Sequence, residues 1–142
     1  MDGERYLLDA SAIYPLVLRL EKSLFRYVER FAVLDLTVYE VGNVLWKEFK
    51  KGRIRNLEPV VTLFEELFSY VEVLRPRIEL GKVIKLVVEE GLTFYDASYL
   101  YIARTSGMRL VTEDSDLLKF PESISVDELL RELGVMQELP DS

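Results

Sequence analysis

Neither cysteine nor histidine occurs among the 142 residues of this chain. Without cysteine there is no disulfide and no thiolate metal site, and a cytoplasmic home is the default expectation. Without histidine there is no Ser-His-Asp or Cys-His triad, no imidazole acid–base nuclease and no zinc–histidine centre. Any hydrolysis must then rest on carboxylates, lysines, tyrosines or a metal-activated water. Long uncharged apolar runs are missing too. The best stretch, Phe94 to Ala103, contains Asp96 and is too short to span a bilayer. The opening residues, MDGERY, lack the basic-then-apolar pattern of an export signal. Gln occurs once and Asn twice in a chain that is 30% charged, a composition typical of thermophilic proteins.

Positive charge is in the minority. The 18 Lys and Arg face 25 Asp and Glu, for a net charge of −7. Such a bulk field does not hold nucleic acid, which counts against a DNA-binding regulator. A nucleic-acid substrate would need a local basic patch and metal ions in an acidic crevice. What the chain does have is apolar content, 49% of its residues. That suits one folded domain over residues 1–135, with 136–142 expected as a frayed tail.

Strands and helices alternate along the chain. Strands are expected at Arg5–Leu8, Ala32–Leu36, Val71–Leu74, Arg109–Thr112 and Ile124–Val126. Helical spacing covers Ser11–Leu20, Glu21–Phe31, Thr37–Lys51, Leu57–Tyr70, Ile78–Glu90, Thr93–Ser106 and Asp127–Leu133. Pro15 is expected in a first turn or at a kink, and Asp114–Leu118 reads as a short helix or turn. Val38, Val41, Leu45 and Phe49 form an apolar stripe, and Leu80, Ile84, Val87 and Val88 are expected to face inward. The order implies an α/β fold, a mostly parallel central sheet flanked by helices in three layers.

Four acids stand where strands stop or helices begin: Asp9, Glu40, Asp96 and Asp114. In an open α/β sheet those places gather in one crevice at the carboxyl ends of the strands. Clustered carboxylates repel one another, and a hard cation such as magnesium or manganese relieves them. Each acid also has a plain structural reading. Thr37-x-x-Glu40 and Thr93-x-x-Asp96 match a capping box, and Asp9 and Asp114 can cap the helices that follow them.

The blocks LLDASAI, YEVGNVLWK, FYDASYLYIA and LVTEDSDL, in this order and at these separations, resemble the PIN-domain ribonucleases. The match is closest to the VapC-type toxins of prokaryotic toxin–antitoxin pairs. The resemblance implies a metal-dependent endoribonuclease with catalytic acids Asp9, Glu40, Asp96 and Asp114. Asp9, Asp96 and Asp114 would hold Mg2+ or Mn2+, and Glu40 would hold or deprotonate a water. Ser11, Asn43 and Thr112 would orient ligands or phosphate, with Asp116 as an extra acid and Glu113 a solvated turn residue. It also implies a homodimer and a small antitoxin that inserts a basic side chain among the acids.

The basic residues Lys47, Lys50, Lys51 and Arg53 follow Glu40 and are the candidate RNA contacts. Lys47 lies near the helix face of Glu40, roughly 10 Å along the axis. Arg75 and Arg77 are a second basic candidate. Tyr95, Tyr99, Tyr101 and Trp46 are read either as base-stacking groups or as core. Two competing readings remain. One is a PIN-type RNA-processing nuclease outside a toxin system. The other is a non-catalytic acidic interaction module in which the acids are only caps.

Overall fold

The computed structural model describes residues 3–135. Five strands form one parallel sheet: β1 (Tyr6–Leu8), β2 (Phe31–Leu34), β3 (Glu72–Leu74), β4 (Arg109–Val111) and β5 (Ser123–Ile124), in the order β3-β2-β1-β4-β5. The helices are α1 (Ala10–Leu20), α2 (Asp35–Lys50), α3 (Leu57–Tyr70), α4 (Leu80–Glu90), α5 (Phe94–Ser106), α6 (Ser115–Leu118) and α7 (Val126–Leu133). The expected tail, 136–142, lies outside the described residues.

Period-two alternation explains the layers. Tyr6, Leu8, Phe31, Val33, Val111 and Ile124 point to one face, packed with residues of α1, α2, α3 and α7. Leu7, Ala32, Leu34 and Leu110 point to the other, against α4, α5 and α6. Successive strand residues therefore feed opposite cores, as parallel sheets buried on both faces require. Register places Tyr6 beside both Phe31 and Arg109, and Leu8 beside Val111. The chain moves outward from β1 to β3, then returns to lay β4 on the other side of β1. The β1/β4 seam is thus the topological switch point.

Several expectations are corrected. The segment after α1 is a pair of 3-10 helices, Glu21–Arg26 and Val28–Arg30, because Glu21 takes a positive φ of 47° that ends the α-helix. Pro15 lies in the second turn of α1, where its missing N–H leaves the Ser11 carbonyl without its helical donor. The second strand stops at Leu34, and α2 starts at Asp35 rather than after Thr37. On α2 only Val41 and Leu45 of the expected stripe are buried, whereas Val38 and Phe49 are exposed. On α4 the buried residues are Val83 and Leu86, while Leu80, Ile84 and Val88 are 65, 44 and 76% exposed. This helix packs chiefly on α5, and one neighbour cannot cover two apolar stripes.

Candidate active site

Asp9 follows β1 directly, and its N–H donates to the Val111 carbonyl across the switch point at 3.2 Å. Its side chain caps α1, where Oδ1 accepts the Ala12 N–H at 3.0 Å. The cap reading is therefore correct for Asp9, yet it accounts for only part of what the carboxylate does. Ser11 Oγ donates to Oδ1 at 2.7 Å, and Thr112 Oγ1 donates to Oδ2 at 2.6 Å. Each hydroxyl in turn accepts a backbone N–H, Ser11 from Glu113 at 2.9 Å and Thr112 from Asp114 at 3.0 Å. Both protons are committed to Asp9, so the 3.3 Å contact between the hydroxyls carries none. The network ties the loop after β4 to the start of α1.

Glu40 and Asp96 escape their expected capping roles. Because α2 begins at Asp35, Glu40 lies in its second turn, too far along to cap. Thr37 instead turns its hydroxyl back to accept the Leu34 N–H at 3.0 Å. The Glu40 carboxylate accepts the Tyr99 hydroxyl proton at 2.6 Å through Oε1. Thr37 Oγ1 lies 2.6 Å from the same Tyr99 hydroxyl, and since Tyr99 donates to Glu40, Thr37 donates to Tyr99. A one-way chain, Leu34 N–H to Thr37 to Tyr99 to Glu40, thus holds the carboxylate from the core. On α5, Thr93 Oγ1 accepts the Asp96 N–H at 3.1 Å. The reciprocal bond from the Asp96 carboxylate is absent among the described residues, so this box is half made.

Asp114 does cap α6, accepting the Asp116 N–H at 2.8 Å. Asp116 is exposed, and its charge is felt at Asp96. Glu113 is more than a solvated turn residue, since its Oε2 accepts the Val126 N–H at the start of α7 at 2.7 Å.

All four acids line one cavity of about 190 Å³, together with Ala10, Ser11 and Tyr99. Asp9, only 4% exposed, has its carboxyl pushed up to about 6. Burial is the main cause and the Glu40 charge adds to it, while the bonds from Thr112, Ser11 and Ala12 oppose the rise. Glu40 is raised by burial and by the Asp96 charge, against the Tyr99 bond. Asp96 is raised by burial and then by Asp114 and Asp116, with Thr93 opposing. Burial and the Glu40 carboxylate push the Tyr99 phenol up strongly, so it stays a donor at neutral pH.

The donor set is all oxygen: carboxylates and a serine hydroxyl. That chemistry suits magnesium or manganese, and the raised carboxyls are what an added cation would relieve. Among the described residues no three acidic side chains already form a closed ligand group. An ion here would keep some of its waters, as magnesium does.

The remaining predicted residues lie elsewhere. Asn43, exposed one turn beyond Glu40, lines a separate groove with Trp46, Lys47, Lys50 and Lys51. Arg53 pairs with Glu48 at 3.0 Å. Tyr101 donates to Glu79, and Tyr95 is exposed. The residues missed by sequence reasoning are Thr37 and Tyr99 in their polar roles. No local signal marks either role, because the Thr37–Tyr99 and Tyr99–Glu40 bonds join different helices.

The chain matches the PIN domain over residues 6–123. It is 43% identical over 136 residues to Exonuclease VapC9 of Pyrobaculum aerophilum, spanning 91% of this chain and 96% of that protein. It is 33% identical over 131 residues to Ribonuclease VapC3 of the same organism, spanning 85% and 98%. The fold superposes on the crystal structure of PAE2754 from Pyrobaculum aerophilum with a TM-score of 0.81 at 42% identity, covering 92% of this chain and 97% of that one.

Proposed function

This chain belongs to the PIN-domain family, and from that membership we propose that it is a metal-dependent endoribonuclease, the toxin of a toxin–antitoxin pair. The observation that carries the reading is the convergence of Asp9, Glu40, Asp96 and Asp114 on one cavity at the switch point. The relatives named Exonuclease VapC9 and Ribonuclease VapC3 support the nuclease part of this reading. No helix among the described residues is long and apolar enough to cross a membrane.

Asp9, Asp96 and Asp114 would hold the ion, directly or through water. Bound there, magnesium or manganese would neutralise the crevice, polarise a phosphodiester oxygen and acidify a water. Ser11 and Thr112 keep both oxygens of Asp9 in place, so its charge faces the cavity in one orientation. Glu40 is held through Oε1, and its Oε2 has no protein partner among the described residues. Oε2 takes the proton of the attacking water as the water oxygen bonds to phosphorus. The bond from phosphorus to the 3′ oxygen breaks, the 3′ oxygen takes a proton from solvent and leaves as the upstream fragment's hydroxyl, and the phosphate stays on the 5′ end of the downstream fragment. The same negative crevice suits a small antitoxin that places a basic side chain among the acids. A second copy of the chain would cover the apolar stripe of α4.

The test is purified protein on linear and circular single-stranded RNA, with a chelator control. The expected result is divalent-dependent cutting of both, leaving 5′-phosphate ends. Full activity in chelator or 2′,3′-cyclic phosphate ends overturns the mechanism. A circle left intact while linear RNA is degraded overturns internal cutting and makes the protein an exonuclease. An adjacent small antitoxin-like reading frame distinguishes a toxin from an RNA-processing nuclease.

A further inference from the structure

The C-terminal half of α2 carries a feature that the acids do not need. Trp46, the chain's one tryptophan, is 54% exposed on it. Half of the indole surface is therefore open to solvent and can accept a flat ligand against it. The Lys50 ammonium lies over the indole ring, 5.2 Å from its centroid. Asn43, Trp46, Lys47, Lys50 and Lys51 line a groove of about 440 Å³. Among the described residues none of these lysines enters an ion pair, whereas the neighbouring Arg53 is taken up by Glu48. Three unpaired cations on one helix end stand out in a chain of net charge −7. The groove begins at Asn43, one turn from Glu40, which lines the acidic cavity.

We propose that this groove is a nucleotide subsite, in which an unpaired base of the RNA stacks on Trp46 while flanking phosphates rest on Lys47 and Lys51. The proposal rests on the ribonuclease reading above and adds what the acids do not specify: how the strand is held beyond the scissile bond. Each element has its chemistry. The indole offers a face that any base can stack on, and stacking tolerates sequence variation. The ammonium of Lys50 adds attraction on the same ring. Lys47 and Lys51, one turn apart, follow a polyanion along the helix. Asn43 presents an amide that can both donate to and accept from a base edge. A base inside a duplex hides both faces in its stack, so this subsite selects single-stranded RNA. The strand then runs along α2 from Glu40 towards its C-terminus.

The single tryptophan makes the test direct. Indole fluorescence is followed as single-stranded oligoribonucleotide is added in chelator, where binding is read without cleavage, and anisotropy of a labelled oligonucleotide reports binding independently. The expected result is saturable quenching that follows the anisotropy, with duplex RNA of equal length binding at least about fivefold more weakly. Trp46→Leu should weaken single-strand binding by at least about fivefold, and Trp46→Phe should recover part of the loss. Lys47→Glu with Lys51→Glu should weaken binding and flatten its salt dependence. Binding without quenching, or equal quenching by polyglutamate or inorganic polyphosphate, overturns the subsite. With magnesium, Trp46→Leu should raise the half-saturating RNA concentration and leave the saturated rate within about twofold. Wild-type cleavage without quenching sinks the subsite alone, whereas quenching without cleavage under any divalent ion sinks the catalytic reading.

Discussion

Burying Asp9 raises its carboxyl from an ordinary 3.8 to about 6, and the sign of the effect on stability follows. Between those values the folded chain holds a proton that the unfolded chain has released, so stability falls as pH rises. The contribution is fully present below about pH 4 and lost above about pH 6, about 3 kcal/mol in all. Between pH 5 and 7.5 about 1 kcal/mol of it disappears. Urea unfolding in chelator, with wild type compared against Asp9→Asn, should find this extra decline only in wild type. A parallel pair of pH profiles would mean that Asp9 titrates normally. Tyr99 matters differently. Tyr99→Phe keeps the ring but removes the hydroxyl that joins Thr37 to Glu40. Stability should drop by about 1–2 kcal/mol. The saturated cleavage rate should drop about tenfold through misplacement of Glu40, with half-saturating RNA unchanged. An unaltered rate would reduce Tyr99 to packing.

At the scale of elements, helix ends were readable and helix faces less so. Gly91, Gly107 and Gly134 close α4, α5 and α7 in left-handed conformations, as glycine after a helix does. The start of α2 was misplaced because two hydroxyl arrangements share one sequence pattern. Threonine at a cap and threonine in the third helical position both precede an acid, and only the chain path through Leu34 separates them. The exposed stripe of α4 leads to a prediction of its own. Ile84→Lys with Val88→Lys should convert the proposed homodimer to a monomer by light scattering. The thermal stability of the monomer should change little, because both side chains already face solvent there. A wild type that is monomeric, or a double variant that remains dimeric, sets aside α4 as the joining face.

For the whole molecule the question is whether the crevice binds a cation as a unit. Asp96→Asn removes one of the mutually repelling charges. It should abolish cleavage yet leave the metal-free protein as stable as wild type or more so. Magnesium should raise the melting temperature of wild type by mass action and that of the variant less. Equal metal-induced shifts together with retained cleavage would return Asp96 to the role of a helix-start residue. A loss of metal-free stability in the variant would point the same way, since an ionised acid near a helix N-terminus is itself stabilising.

The sequence by itself determined the alternation of strands and helices, the absence of histidine and thiol chemistry, and the order of the four acid blocks. Those properties are local or compositional, so they survive without coordinates. Convergence was not local. Asp9 and Thr112 are far apart along the chain and meet only because β4 returns to lie beside β1. Tertiary structure alone decided that Glu40 is gripped by Tyr99 from another helix, because a buried hydroxyl's partner depends on which helices pack together. It also placed Asn43 in the groove of Trp46 and the lysines, and left Trp46 half exposed with Lys50 above it. Periodicity says which residues share a face. Only packing says which faces find a neighbour, and so which side chains remain free to meet a substrate.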